Sequence, residues 1–283
     1  MKSSSVPALI RFSFFMVAFF LWAGLATPVW AETLYKVWSD GRIEQIDSDD
    51  ASHWKKSLPD KQLTTGNMSW AITYGDPGGL GFNDAAEGAA RKARLEDVLG
   101  YIAGVLNPDP ALDVTVTLAV DVSLNDPDDL TLATAGTLFS SNFQNPFRPG
   151  FSLLRIMTGS QPFPNSEEIF MQVNFGADWH AGTGAPPGDK FDLFTVLLHE
   201  ITHGLGFTTG LRKNGTSSLG GMYTKLDEGF FRGTDNAALF GGNPPNIGLV
   251  LPASTLESRD IVFNGANANE RYAERACADL LPF

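Results

Sequence analysis

The chain has 283 residues, and 32 acidic side chains against 20 basic ones give it a formal net charge of −12. Such an acidic protein is a poor fit to nucleic acid or to an anionic membrane surface, so neither is expected as a partner. Its one cysteine, Cys277, excludes an intrachain disulfide.

Lys2 and Arg11 form a basic start, Phe12 to Leu25 is an apolar run, and Val29-Trp30-Ala31 has the small-x-small form of a cleavage site. These features predict a secretory signal peptide over residues 1–31. The apolar run is short for a membrane span, so no stable anchor is expected after cleavage, and the protein is expected to be extracellular or periplasmic. Taking 31 from 283 leaves 252 residues, enough for one substantial domain.

Residues 32–66 differ in character from the rest of the mature chain. LYKVWSDGRIEQID reads as a strand, an Asp40-Gly41 turn and a second strand. A polar stretch comes next, and its His53 is expected to be a solvated surface residue. The whole segment is expected to be a small N-terminal appendage or a short pro-segment, with the main domain covering residues 67–283.

The main domain begins near Met68 with SWAITY, an alternating strand. GDPGGLGFND is a turn-rich loop; its Asp76, Asn83 and Asp84 could bind calcium, although loop and cap roles are commoner for such residues. Leu95, Val98, Leu99, Ile102, Val105 and Leu106 fall at helical spacing, with Arg91, Lys92, Arg94, Glu96 and Asp97 on the wet face, and NPDP at 107–110 stops that helix. DVTVTLAVD (113–121) and EEIFMQVNF (167–175) alternate as strands. Residues 122–165, rich in Pro, Asn, Ser and Gly, carry the least legible structure. Strands interleaved with helices in this order predict an α+β fold, a mixed sheet packed on helices.

The stretch FDLFTVLLHEITHGLGF (191–207) organises the rest. It contains His199, Glu200 and His203 in the pattern H-E-x-x-H. On a helix, residues four apart share a face, about 5–6 Å apart at Cβ. Two imidazoles so placed can bind one metal ion, and Glu200 can serve as general base beside it. Apolar residues nearly all round this helix predict that it is buried and that it carries the three polar side chains into a dry interior. Asp189 or Asp192 can cap its start, and Gly204 or Gly206 can end it. The bland alternative is a core helix whose histidines pair with nearby carbonyls.

At TVLLHEITHGLGF the chain resembles secreted zinc peptidases of the metzincin type, whose extended pattern is H-E-x-x-H-x-x-G-x-x-H/D. Gly206 matches the glycine, but the third-ligand position falls on Thr209, which is no usual zinc ligand. The chain is more closely similar to bacterial secreted metallopeptidases that share the LLHEIxHGLGF helix; GDPGGLGFND, VNFGADWH and IVFNGANAN are alike as well. In those relatives, as in leishmanolysin-like enzymes, the third histidine lies far downstream and a methionine turn comes after it. No histidine follows His203 here, so the sequence either uses another third ligand or lacks its last part. Asp227, in YTKLDEGFF, is a candidate carboxylate ligand, though an ordinary aspartate is the commoner role. His180 could reach the site as a donor or be a plain loop residue. Met222 precedes any obvious third ligand and is not read as a methionine turn.

The resemblance implies a zincin-like α+β fold, Zn²⁺ as cofactor on His199 and His203, Glu200 as catalytic base, and secreted metalloendopeptidase activity on proteins or peptides. It also implies that the strand before the active helix, residues 167–175, is the sheet edge that holds an extended peptide. Two alternatives remain: a non-catalytic binding protein on a zincin scaffold, and a structural protein with a fortuitous motif.

Overall fold

The computed structural model describes residues 33–48, 58–141, 145–161, 163, 166–242, 248–250, 256 and 261–263. The expected signal peptide, His53, Cys277 and the last residues of IVFNGANAN lie outside these. The fold is α+β. Among the described residues no helix is long and apolar enough to cross a membrane.

The strands of the main sheet are β1 (Thr33–Trp38), β2 (Ile43–Asp47), β3 (Lys61–Thr65), β4 (Met68–Tyr74), β5 (Val114–Val120) and β6 (Ala133–Ser140); after the short β7 (Phe147–Arg148), β8 (Ile169–Val173) completes it. The order across the sheet is β2-β1-β6-β8-β5-β4-β3. β4, β5 and β8 run parallel, whereas β6 is antiparallel to β8 and to β1. The sheet is therefore mixed, as the alternation of strands and helices predicts.

Helices α1 (Gly88–Leu106), α2 (Phe151–Thr158) and α3 (Leu193–Gly204) accompany the sheet. α1 turns Leu95, Val98, Leu99 and Ile102 inward, and α3 turns Leu193, Leu197 and Ile201 inward. They meet Trp70, Ile72, Val116, Leu118, Ile169 and Met171 in one core. Each such side chain, fully buried, contributes about 1.5–3 kcal/mol of transfer free energy. The wet face expected for α1 is drier than its sequence implies. The Arg94 guanidinium lies 5.0 Å from the Phe194 ring centroid of α3, and that of Arg91 lies 4.1 Å from the Phe175 ring. Long basic side chains lay their stems over apolar surface in this way.

Two expectations need correction. Residues 32–66 are not a separate appendage: the described part supplies β1, β2 and β3, and the segment shares one compact unit, Glu32–Phe283, with the rest. β1 is integrated because both its faces are apolar, Leu34 and Trp38 on one side and Val37 on the other, and all three are buried. Nor is the strand at 167–175 an edge. β8 lies between β6 and β5, and Phe170 and Ile169 pack on its opposite faces, so its backbone is committed on both sides.

β6 lay hidden in the stretch least legible from sequence. It is buried along nearly all its length, so ATAGTLFS shows no alternation to read. Gly136 sits where a Cβ would fall 1.8 Å from the Val37 carbonyl oxygen, so the close approach of β1 depends on the missing side chain.

Candidate functional site

α3 delivers the motif. Asp192 caps it, accepting from the Thr195 backbone N–H at 3.1 Å. The helix ends at Gly204, and Gly206, at φ +93°, turns the chain away. Gly204 also lets the helix press on the sheet: a Cβ there would lie 2.5 Å from Ile169 Cγ2. This contact fixes the height of the last helical turn, and so of His203, above β8.

The expectation of a dry site is overturned. Leu193, Leu197 and Ile201 form a single buried stripe; the opposite face is open, with His199 exposed and His203 half-buried. That face looks into a cleft of about 480 Å³. The cleft is walled by Ser39 and Asp40 from the β1–β2 turn, by Thr131 to Thr134 at the start of β6, and by the α3 residues Thr195, Val196, His199, Glu200 and His203.

Within the cleft the two histidines converge. Their Nε2 atoms are 3.1 Å apart, with the rings nearly perpendicular at 83°. His203 Nδ1 lies 2.7 Å from the Phe207 carbonyl oxygen, which can only accept, so Nδ1 carries the proton and Nε2 is left with its lone pair. This is the tautomer a zinc ligand needs. Two nitrogens each about 2.0–2.1 Å from one tetrahedral ion sit roughly 3.3–3.4 Å apart, so the observed spacing is within about 0.3 Å of what zinc needs. Without an ion, a hydrogen bond from His199 to His203 satisfies the same pair.

Glu200 is buried, and its Oε2 accepts a hydrogen bond from the Ser39 hydroxyl at 2.7 Å. Nothing in the sequence signals Ser39: it lies 161 positions from Glu200, in a serine-aspartate-glycine turn with many possible roles. Only the seating of β1 against β6 brings it here.

Asp227 does not complete the metal set. Fully buried, it accepts hydrogen bonds from the Thr209 hydroxyl, the Gly210 N–H, and the Thr224 N–H and hydroxyl. Its carboxylate ties the loop after α3 to the short strand β9 (Tyr223–Thr224), which pairs with β7. Thr209, at the metzincin third-ligand position, donates into that knot. His180 lies in a two-residue strand, Trp179–His180, that pairs with Phe191–Asp192 just before α3; its Nε2 is 3.1 Å from the Gly184 carbonyl, and it is not among the residues lining the cleft. Met222 is buried beside Val37, Phe139 and Leu219. Among the described residues no third histidine, cysteine, aspartate or glutamate joins the pair.

The candidate calcium loop is held internally. The Asp76 carboxylate accepts from the N–H groups of Phe82 and Ser123 and from the Ser123 hydroxyl. Asn83 donates to the Asp76 carbonyl, and Asp84 accepts from the N–H groups of Ala86 and Glu87 before α1. Those backbone bonds hold the Asp84 carboxyl below its usual range.

In comparison with known proteins, no protein-family profile matches the chain, and no solved structure matches it. A stretch of 56 residues is 41% identical to an uncharacterised protein of Schizosaccharomyces pombe, covering 20% of this chain. The match spans 10% of that protein's length.

Proposed function

We propose that the chain is a secreted zinc-dependent metalloendopeptidase with a zincin-like fold, hydrolysing peptide bonds in proteins. The observation that carries the reading is the His199–His203 pair on an open cleft, Nε2 to Nε2 at 3.1 Å, with Glu200 on the same wall. His199 and His203 would hold the ion through neutral imidazoles, His203 oriented by the Phe207 carbonyl. Zinc, when bound, supplies Lewis acidity toward a peptide carbonyl and acidifies a water.

Glu200 takes a proton from the attacking water and returns it to the leaving amine, the task of a positioned carboxylate. The packing of Leu197 and Ile201 behind it fixes the helix from which it acts. The pattern of residues 1–31 supports export.

A second reading is a non-catalytic binding protein on the same scaffold. It is favoured by the absence, among the described residues, of a third ligand beside the histidines. Zinc content and casein hydrolysis, measured together on wild type and Glu200→Gln, separate the two. On the peptidase reading the variant keeps stoichiometric zinc and loses about 10²- to 10⁴-fold in turnover, the usual worth of a general base. Full hydrolysis by the variant removes Glu200 from its role. Wild-type zinc without hydrolysis selects the binding protein.

A further inference from the structure

The outer edge of β6, beside the histidines, is occupied by the chain's own β1. β1 runs antiparallel to β6 from Leu34 opposite Ser140 to Trp38 opposite Gly136. One further bond, from the Ser39 N–H to the Ala135 carbonyl at 2.8 Å, carries the ladder to the mouth of the cleft. An extended peptide added to a sheet edge makes this same ladder, with alternate side chains filling pockets. Here Val37 and Ser39 are the alternate side chains turned toward the helix face. Val37 is buried against Phe139, Leu219 and Met222. The Ser39 hydroxyl donates to Glu200 and accepts the Ala135 N–H at 3.2 Å. Gly41, at φ +87°, then reverses the chain into β2.

The hairpin is also topologically separable. β2 is the last strand on its side of the sheet, whereas β3 lies at the opposite edge. Residues 48–60 are the only covalent link from the hairpin to the later strands. On its other side β6 pairs with β8, and its Ala135 sits in the core under α3, contacts that do not involve β1.

We propose that the β1–β2 hairpin is a built-in plug, a substrate-like strand seated on β6 that engages the base Glu200 through Ser39. Peptide pairs with the β6 edge, in register with the histidines of the cleft, when the hairpin leaves. The proposal rests on the peptidase reading of the His199–His203 site, and it assigns that site a regulator. It also assigns the peptide-binding edge to β6 rather than β8.

The test uses the zinc-loaded full chain with Cys277→Ser, a specific-protease sequence inserted within residues 48–60, and Lys36→Cys with Leu138→Cys. Lys36 and Leu138 face each other across β1 and β6, as a cross-strand disulfide requires. After cutting, oxidised and phosphine-reduced samples are compared for hydrolysis of a quenched peptide and for binding of a fluorescent peptide hydroxamate, which needs the ion and the edge but no turnover. A plug seated in nine of ten molecules lowers apparent affinity about tenfold, so at least that gain is expected on reduction, at equal zinc content. Adding Val37→Asp, which puts a carboxylate among Phe139, Leu219 and Met222, should enlarge the gain. Equal binding in the oxidised and reduced forms, whether tight or weak, overturns the plug. Disulfide-dependent binding without hydrolysis sinks the peptidase reading and leaves the plug standing. Hydrolysis indifferent to the disulfide does the reverse.

Discussion

Replacing Asp227 decides whether it is a metal ligand or a knot in the loop beyond α3. In Asp227→Ala the N–H groups of Gly210 and Thr224 lose their acceptor, while the two threonine hydroxyls can turn toward other partners. A buried donor left unsatisfied costs about 1–3 kcal/mol, so the two together predict roughly 2–6 kcal/mol of lost stability. Asp227→Asn keeps one oxygen where both N–H groups converge, and its amide faces the Thr209 hydroxyl, which can turn to accept. That variant forfeits mainly charge assistance and should lose about 1–2 kcal/mol. Urea unfolding of the metal-free protein measures both losses, and zinc titration of the folded variants measures the site. The expected outcome is a large loss for Ala, a small one for Asn, and zinc affinity in the Asn variant close to wild type. A change below about 0.5 kcal/mol in the metal-free Ala variant, coupled to a collapse of zinc affinity, would refute the knot and restore Asp227 as a ligand.

Two further outcomes test the scaffold. Gly204→Ala forces its methyl to within 2.5 Å of Ile169 Cγ2 and should cost about 1–3 kcal/mol; adding Ile169→Ala should recover part of that, giving a double-mutant coupling above about 0.5 kcal/mol, and strict additivity would show that the contact does not matter. Glu168 sits buried between Arg155 and Thr117, and burial pushes its carboxyl above the ordinary value of 4.5, although the Thr117 N–H and Arg155 oppose the shift. Its folded state therefore holds the proton to higher pH than the unfolded chain. The contribution of Glu168 to stability is complete below 4.5 and is lost as pH rises through the raised folded value. Urea unfolding across that interval should show wild type losing stability relative to Glu168→Gln as pH rises, and a flat or rising difference would contradict the sign.

The sequence by itself determined a helix within 191–207, an aspartate cap at 189 or 192, a glycine stop at 204 or 206 and the four-residue spacing of the histidines; the structure set the bounds at 193–204 and chose Asp192. It also determined the strands β4, β5 and β8 and the helix α1. These are local matters: periodicity, capping and turn chemistry act over a few residues and leave a direct trace in the chain. The reading faltered where burial on both faces erases alternation, as in β6. It faltered also where a hairpin with ordinary local features proves to be part of a distant sheet, as with β1 and β2.

Only the tertiary structure decided which face of α3 meets water, and that β8 is interior. It alone showed that Asp227 spends its carboxylate on backbone and hydroxyl donors, and that Ser39 reaches Glu200. Each of these depends on contacts between segments far apart in sequence, on the order of 15 to 160 residues. No window of neighbouring residues encodes such a pairing; it arises from which apolar faces the whole chain can bury together.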